Sequence, residues 1–305
     1  MKAINNPMTH YAGFIVLYLL LVILLPANKI AMNTYHLNSF KYHLLLLLVV
    51  LPFIGIWFAA FYGFSKLQKY ALSIRSATEG RDFHHLAAGS GWLAYALPLS
   101  AILSIVLNSL TNHYAGFHAA AVIINNYVGL LLPLVAFTLY SNSARNLSTR
   151  SNIRLSLQAG RLLIFVFATL GVFYCYFTFR NLGVGSLTST SNAFFLPAWL
   201  AVTTIVMPYL YIWFNGLLAA YEITLFAKKV TGVLYRQALR LVSLGIATII
   251  ISSIASQYLT SITPRSGSLG LNYVLILIFI IELLMAGGYS FIAFGAQRLQ
   301  RIEDV

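Results

Sequence analysis

Long apolar stretches separated by short polar segments run along the whole chain. Each stretch has about 20 residues, the length of α-helix that crosses a hydrocarbon core of about 30 Å. Together with charged and turn residues, these stretches predict eight membrane-spanning helices. Their expected ranges are 9–27, 43–65, 91–109, 118–140, 161–180, 195–222, 239–260 and 271–295. The sequence therefore predicts an all-α, polytopic helix bundle in which residues 1–305 form a single membrane domain.

Composition agrees with this pattern. Hydrophobic residues make up 60% of the chain and charged residues only 8%, whereas soluble domains carry about 25% charged residues. The first apolar stretch, Tyr11 to Ala27, is followed by no small-x-small cleavage site, so we expect it to remain as an uncleaved helix. Cys175 is the only cysteine, which excludes an intrachain disulfide and a multi-cysteine metal site. The pattern predicts no bound cofactor.

The basic residues lie mainly in alternate loops of the predicted topology. Fifteen of the 19 Lys and Arg residues fall on one side: Lys2, Lys66, Lys69, Arg75, Arg81, Arg145, Arg150, Arg154, Arg161, Lys228, Lys229, Arg236, Arg240, Arg298 and Arg301. The positive-inside rule makes this side cytoplasmic, with both termini there and the protein in the cell membrane. The net charge of +13 is scattered over short loops. It therefore favours contact with anionic lipids at that face over nucleic-acid binding.

The segment from Lys66 to Arg81 has an amphipathic pattern. Leu67, Ala71 and Ile74 recur at helical spacing, while charged residues occupy the other faces. Two interpretations remain open: a separate helix on the cytoplasmic membrane surface, or a solvated continuation of the second span.

Short motifs recur in the same order in the two halves of the chain. Pro52-x-x-x-Ile56-Trp57-Phe58 returns as Pro208-x-x-x-Ile212-Trp213-Phe214. Three further matches pair Leu110-Thr111 with Leu259-Thr260, Asn126-Tyr127-Val128 with Asn272-Tyr273-Val274, and Ala144 and Leu147 with Ala296 and Leu299. The matches predict two four-helix repeats, 9–147 and 161–299. Because each repeat has an even number of spans, the repeats are expected to be parallel.

Glu282 is the acidic residue that the bilayer tolerates least. It lies about a dozen residues into the last span, near the predicted midplane, whereas Glu222 lies at a cytoplasmic helix end and is expected to be structural. A central charge costs about 3 kcal/mol, which marks Glu282 as a candidate substrate- or proton-binding residue. The two alternatives are a protonated carboxyl bonded by serines and a carboxylate that lines a wet cavity. The candidate serine partners are Ser252, Ser253 and Ser256 in span seven and Ser100 and Ser104 in span three.

Four histidines fall in the two non-cytoplasmic loops of the first repeat: His36, His43, His113 and His118. Their spacing matches no metal signature, so no metal site is predicted, and the role of this group stays open. The chain also lacks HExxH, GxSxG and phosphate-loop motifs and has no lysine within a span, which argues against several enzyme classes.

These features favour a transporter- or channel-like membrane protein with a midplane site at Glu282. The main alternative is a non-catalytic subunit or assembly factor that binds other membrane proteins. A lipid-handling membrane enzyme is the weaker alternative. Neither the substrate nor the oligomeric state can be derived from the residue pattern.

Overall fold

A computed structural model describes residues 6–25, 32–33, 36–74, 76–113, 117–149, 161–162, 164–166, 169, 206–262 and 271–303. Regular structure in these residues is helical, and no strand occurs among them. The long helices are α1 (Pro7–Leu24), α2 (Ser39–Ser73), α3 (Ala77–His113), α4 (Phe117–Thr149), α5 (Met207–Lys229), α6 (Val233–Ile262) and α7 (Leu271–Glu303). The predicted all-α class is therefore confirmed for the described part of the chain.

Five helical segments in the described part are long and apolar enough to cross a membrane. They are Pro7–Leu24, Thr78–Val106, Met207–Lys229, Val233–Gln257 and Ile276–Ile302. Large apolar side chains such as Ile23, Phe214 and Phe294 are exposed on their outer faces, as expected where lipid replaces water around the protein. The fold is that of a membrane-embedded helical protein.

The count of eight spans is not confirmed. Helices α2 and α4 are long, but they do not enter the set of five, which was drawn from the described residues alone. The fifth predicted span, 161–180, lies almost entirely outside the described residues, as does the 195–205 part of the sixth. In the described chain Pro208 lies in the first turn of α5, a position that tolerates proline without a kink.

Several helices extend well beyond their predicted spans. Helices α2, α3, α4, α6 and α7 have 35, 37, 33, 30 and 33 residues, which corresponds to about 45 to 55 Å. The stretch from Lys66 to Arg81, for which a surface helix and a solvated continuation of span two were both open, is divided between the last part of α2, which ends at Ser73, and the start of α3 at Ala77. Leu67 and Ala71 are buried in the core, so this stretch packs within the bundle.

Six helices form a closed ring. Neighbours in the ring contact each other in chain order from α2 to α7, and α7 returns to contact α2. Helix α1 lies outside this ring against α2 and α3. It is held there by aromatic contacts such as Tyr18 with Trp57 and by a hydrogen bond between His10 and Tyr95.

The repeated Ile-Trp-Phe motif has the same disposition in α2 and α5. Ile56 and Ile212 are buried, and Phe58 and Phe214 are exposed. Trp57 packs with Leu97 of α3, and the Trp213 indole nitrogen donates to Ser253 Oγ of α6 at 3.1 Å. In both helices the tryptophan therefore contacts the next helix along the chain.

Glycines bring neighbouring helices into close contact. A Cβ added at Gly245 of α6 would lie 2.6 Å from the Gly288 carbonyl oxygen of α7, and one at Gly89 of α3 would lie 2.9 Å from the Ala136 carbonyl oxygen of α4. Small residues permit such an approach of two backbones in membrane helices. Of the Gly287-Gly288 pair that follows Glu282, only Gly288 has this role, because a Cβ at Gly287 meets nothing within 4 Å.

Candidate functional site: a cavity inside the helix ring

A partly open cavity of about 490 Å³ lies within the helix ring, and Tyr18, Leu21, Val22 and Leu25 of α1, which packs outside the ring, also line it. Its wall includes the C-terminal parts of α3 and α6, residues 129–137 of α4 and residues 281–289 of α7. The basic residues lie at the opposite ends of the same helices, for example Arg81 on α3 and Arg298 on α7. We refer to the two regions as the cavity end and the basic end. The volume falls in the range of about 300 to 1,000 Å³ that is typical of small-molecule sites.

The cavity wall combines hydroxyl groups with aromatic and aliphatic side chains. The hydrogen-bonding side chains on the wall are Tyr18, Tyr42, His43, Ser100, Ser104, Ser109, Tyr209, Ser252, Ser253, Ser256, Gln257 and Tyr289. Lys, Arg, Asp and Glu do not occur among the described residues that line it. A wall of this kind is uncharged and offers many donors and acceptors.

The polar groups contributed by α5, α6 and α7 are held by one another. The Tyr209 hydroxyl is hydrogen-bonded to the Gln257 side chain. Ser252 Oγ donates to the Ile281 carbonyl oxygen at 3.3 Å, which links α6 to α7. Ser253 Oγ accepts the bond from Trp213 and so keeps its own hydroxyl proton for another acceptor. This part of the wall is therefore pre-organised.

A proline in α4 adds a backbone acceptor to the opposite part of the wall. Pro133 lies inside α4 and lines the cavity, as does Gly129 one turn earlier. Because proline has no N–H, the Gly129 carbonyl loses its usual helical donor. A Cβ at Gly129 would lie 3.7 Å from Ser100 Oγ, so α3 passes close to this point.

Glu282 is next in sequence to a residue of the cavity wall but does not line the cavity itself. Its neighbours Ile281 and Met285 line the cavity, while Glu282 itself is 4% exposed. Its Oε1 atom is buried, and no described residue provides it with a hydrogen-bond partner. The expected bond from the serines of α3 or α6 is therefore not formed at Oε1, and Ser252 bonds to the neighbouring Ile281 carbonyl instead.

All five serines predicted as partners of Glu282 line the cavity. They are Ser100 and Ser104 of α3 and Ser252, Ser253 and Ser256 of α6. The structure thus assembles the predicted serines around an open space that Glu282 itself does not line. A role for Glu282 or for any of these serines in binding stays a prediction.

The histidine group is described only in part. His43 lines the cavity at the start of α2, where its Nδ1 bonds to the Ser39 carbonyl oxygen at 2.8 Å. His36 is exposed and has a positive φ of 51°. The side chains of His113 and His118 lie outside the described residues. No cluster of three metal-ligating side chains occurs within the ranges that the structure describes.

At the basic end, buried polar groups pair with each other. Asp82 is buried within α3, where the sequence interpretation had a loop, and its Oδ1 accepts a bond from Asn146 Nδ2 of α4 at 3.0 Å. Ser143 Oγ donates to the Asp82 carbonyl oxygen at 2.7 Å. Ser148 Oγ donates to Glu222, and Lys229 Nζ donates to the Ser148 carbonyl oxygen at 2.6 Å. Glu222 therefore joins α4 to α5 at this end.

Sequence reasoning missed the tyrosines and the glutamine of the wall. Tyr209, Gln257 and Tyr289 are neutral residues in apolar stretches, and a search for charges in spans passes over them. Pro133 was also overlooked, because only the prolines of the repeated motif were considered. Their common signal is position, since each lies one or two turns from another lining residue on the same helix face.

Comparison of the chain with protein-family models, with curated proteins and with solved structures finds no match. The functional argument therefore depends on the cavity and its residues.

Proposed function

We propose that this protein is a membrane transporter whose substrate site is the cavity inside the helix ring. The observation that carries the proposal is an uncharged, hydroxyl-lined space of about 490 Å³ within a membrane-embedded helical bundle. A tightly packed bundle would have favoured the alternative of a non-catalytic subunit. Transporters commonly bind their substrates near the membrane midplane, between two halves of the fold.

We also propose that the ring consists of two parallel repeats, with α2, α3 and α4 equivalent to α5, α6 and α7. Exchange of the two sets maps every neighbouring pair of the ring onto another neighbouring pair, including α4 with α5 onto α7 with α2. The glycine contacts obey the same exchange. Gly89 meets Ala136 and Tyr140, and Gly245 meets Gly288 and Ile292.

The cavity wall supports the same equivalence residue by residue. Six lining residues of α2 and α3 have lining counterparts 156 positions later in α5 and α6, and the three lining residues of α4 have counterparts 152 positions later in α7. The pairs are Phe53 with Tyr209, Leu93 with Ile249, Ala96 with Ser252, Leu97 with Ser253, Ser100 with Ser256, Ala101 with Gln257, Gly129 with Ile281, Pro133 with Met285 and Phe137 with Tyr289. A pseudo-two-fold axis through the cavity accounts for this correspondence.

The repeat also explains an unpaired indole group. The Trp57 indole nitrogen is buried without a hydrogen-bond partner, whereas its counterpart Trp213 donates to Ser253. The residue equivalent to Ser253 is Leu97, which cannot accept a hydrogen bond. In an exact two-fold copy, a serine at the position of Leu97 would accept the hydrogen bond that the Trp57 indole nitrogen lacks.

Glu282 is the proposed proton-coupling residue. Its counterpart in the first repeat is Leu130, and both side chains are 4% exposed. A leucine can therefore occupy this environment, so packing alone does not require a carboxyl group. Its position next to Ile281, which lines the cavity, puts it close to the substrate site, where a change of protonation can be coupled to the state of the cavity.

Proton flux in reconstituted liposomes tests this function. Liposomes loaded with a pH-sensitive dye would receive wild-type protein, Glu282→Gln or Glu282→Asp, and a potassium diffusion potential would drive proton entry in the presence of uncharged solutes. We expect solute-dependent entry with wild type, partial entry with Glu282→Asp and the protein-free rate with Glu282→Gln. Equal entry with wild type and Glu282→Gln would eliminate the carboxyl role, and no entry with any form would favour the subunit hypothesis.

A further inference from the structure

The paired positions of the cavity wall differ systematically in polarity. Four further hydrogen-bonding residues of the first half, Tyr42, His43, Ser104 and Ser109, also line the cavity, at positions whose counterparts' side chains lie outside the described residues. At five of the paired positions the second half carries a hydrogen-bonding side chain where the first half carries an apolar one. These positions pair Phe53 with Tyr209, Ala96 with Ser252, Leu97 with Ser253, Ala101 with Gln257 and Phe137 with Tyr289. The reverse does not occur among the described lining pairs, and Ser100 and Ser256 are the one pair with a hydroxyl group on both sides.

We propose that the cavity binds an uncharged amphipathic molecule in one orientation, with its hydrogen-bonding groups against the polar members of these pairs on α5, α6 and α7 and its apolar side against Phe53, Leu97 and Phe137 on α2, α3 and α4. This inference rests on the proposed substrate site and names the chemical class of its ligand. A ligand with polar groups on all sides would place some of them against Phe53, Leu97 and Phe137, which offer no hydrogen-bond partner. A polar group buried without a partner costs more free energy than one hydrogen bond contributes.

The absence of charge on the described wall determines the charge of the ligand. Moving an ion out of water without a counter-charge costs several kcal/mol. His43 is the one histidine among the described lining residues, and it lies at the start of α2, where its Nδ1 bonds to the Ser39 carbonyl oxygen. Glu282 does not line the space. An uncharged ligand avoids the cost of burying an ion without a counter-charge.

The polar half is suited to binding because its groups are already fixed. Tyr209 is bonded to Gln257, Ser253 to Trp213, and Ser252 to the Ile281 carbonyl group. Groups that are fixed before binding lose little conformational entropy when the ligand arrives. Each of these hydroxyl and amide groups retains further donor or acceptor capacity. At the paired positions the ligand therefore meets an ordered polar array on one side and the apolar side chains of Phe53, Leu97 and Phe137 on the other.

Three pyrene probes that differ only in charge provide a direct binding test. They are 1-pyrenemethanol, which is neutral, 1-pyrenemethylammonium and 1-pyrenecarboxylate. Protein in lipid nanodiscs would be titrated with each probe while energy transfer from tryptophan to pyrene is measured. The Trp213→Phe variant isolates the signal that comes from the polar half. We expect the neutral probe to bind at least tenfold more tightly than either charged one.

Two serines at equivalent positions provide a matched pair of variants. Ser256→Ala removes a hydroxyl from the polar half, and Ser100→Ala removes its counterpart from the opposite half. We expect Ser256→Ala to weaken binding of 1-pyrenemethanol by about fivefold and Ser100→Ala by less than about twofold, the former being the loss of one hydrogen bond. Thermal unfolding of both variants checks that they remain folded.

The outcomes separate this inference from transport. Binding is measured at equilibrium without a gradient, so a protein that binds the neutral probe but carries no flux supports the ligand class and refutes the transporter. Tighter binding of the cation, lost in Glu282→Gln, would overturn the assignment of an uncharged ligand. Equal weakening by Ser100→Ala and Ser256→Ala would overturn the single orientation. The absence of Trp213-dependent transfer with all three probes would overturn the site itself.

Discussion

Serines occur at both the basic end and the cavity end of the helix ring, but their surroundings differ. At the basic end Ser143 bonds to the Asp82 carbonyl group and Ser148 to Glu222, each joining two helices. At the cavity end Ser104 and Ser256 lie beside open space. Ser143 and Ser148 therefore join helices, as Ser252 and Ser253 do at the cavity end, whereas Ser104 and Ser256 are available to a ligand. This difference, rather than the presence of polar residues in membrane helices, distinguishes structure from candidate function here.

The largest expected effect tests the close packing of α6 against α7 at Gly288. Gly288→Leu places a side chain where a Cβ alone would already lie 2.7 Å from Ile249 Cγ1, whereas Gly287→Leu meets nothing within 4 Å at that atom. We expect Gly288→Leu to destabilise the protein by about 3 kcal/mol or to prevent its folding. Unfolding in mixed detergent micelles would measure the change.

The control for this experiment is the adjacent glycine. Gly287→Leu introduces the same side chain into the same helix, so differences in helix propensity cancel. A similar loss of stability in both variants would contradict the close approach of α6 and α7 at Gly288.

The next effect concerns the unpaired carboxyl group of Glu282. Glu282→Leu replaces it with the residue that occupies the equivalent site, Leu130. Removal of a buried oxygen without a partner is expected to stabilise the protein by about 2 kcal/mol while abolishing proton-coupled flux. The reverse change, Leu130→Glu, is expected to destabilise it. If thermal unfolding shows that Glu282→Leu is less stable than wild type, the carboxyl group has a structural partner and the proposed role is wrong.

A smaller effect compares single hydroxyl groups at the two ends. Ser143→Ala removes a bond between α3 and α4, so we expect a loss of about 1 kcal/mol. Ser104→Ala at the cavity end is expected to change stability by less than about 0.3 kcal/mol, because no interhelical bond is lost. Both values come from the same unfolding assay. Equal losses of stability in the two variants would contradict the proposed difference between the two ends.

The smallest effect tests the equivalence of the two repeats. Ser253→Leu introduces into the second half the leucine that occupies the equivalent position in the first half, Leu97. Like Trp57, Trp213 should then lack a hydrogen-bond acceptor, and the protein should lose about 0.5 kcal/mol of stability. Leu97→Ser should supply Trp57 with an acceptor and shift its fluorescence emission. Tryptophan emission spectra of both variants, each in a background with the other three of the four tryptophans replaced by phenylalanine, measure the exchange. An unchanged Trp57 spectrum in Leu97→Ser would argue against the proposed register.

The helical class and the membrane environment could be predicted from the sequence because they follow from composition and the length of apolar runs. The ends of the helices could not be predicted in this way. The polar residues near Asp82 were interpreted as a loop, yet they continue α3, since Asn146 and Ser143 of α4 satisfy them. Hydropathy records where a helix leaves lipid, and the end of a helix depends on tertiary partners that a linear pattern does not contain.

The candidate site was predicted in part. The serines of spans three and seven were predicted as alternative hydrogen-bond partners of Glu282, and both groups line one cavity, because serines four residues apart lie on one helix face. The bond to Glu282 was not formed at Oε1, since the depth of a residue does not determine the direction of its side chain. Short sequence matches between the two halves were also of limited value for aligning the repeats. The pairs Leu110 with Leu259 and Asn126 with Asn272 do not fit the register proposed from the cavity wall.

Cysteine accessibility tests most directly the claim that the cavity end is open to a ligand and the basic end is closed. Cys175 is the only native cysteine, so Cys175→Ser provides a cysteine-free background for Ser256→Cys and Ser143→Cys. In membrane vesicles, a small uncharged maleimide should label Ser256→Cys rapidly and Ser143→Cys at least tenfold more slowly, and 1-pyrenemethanol should protect only the former. Equal labelling of the two positions, or labelling of Ser143→Cys alone, would contradict the account.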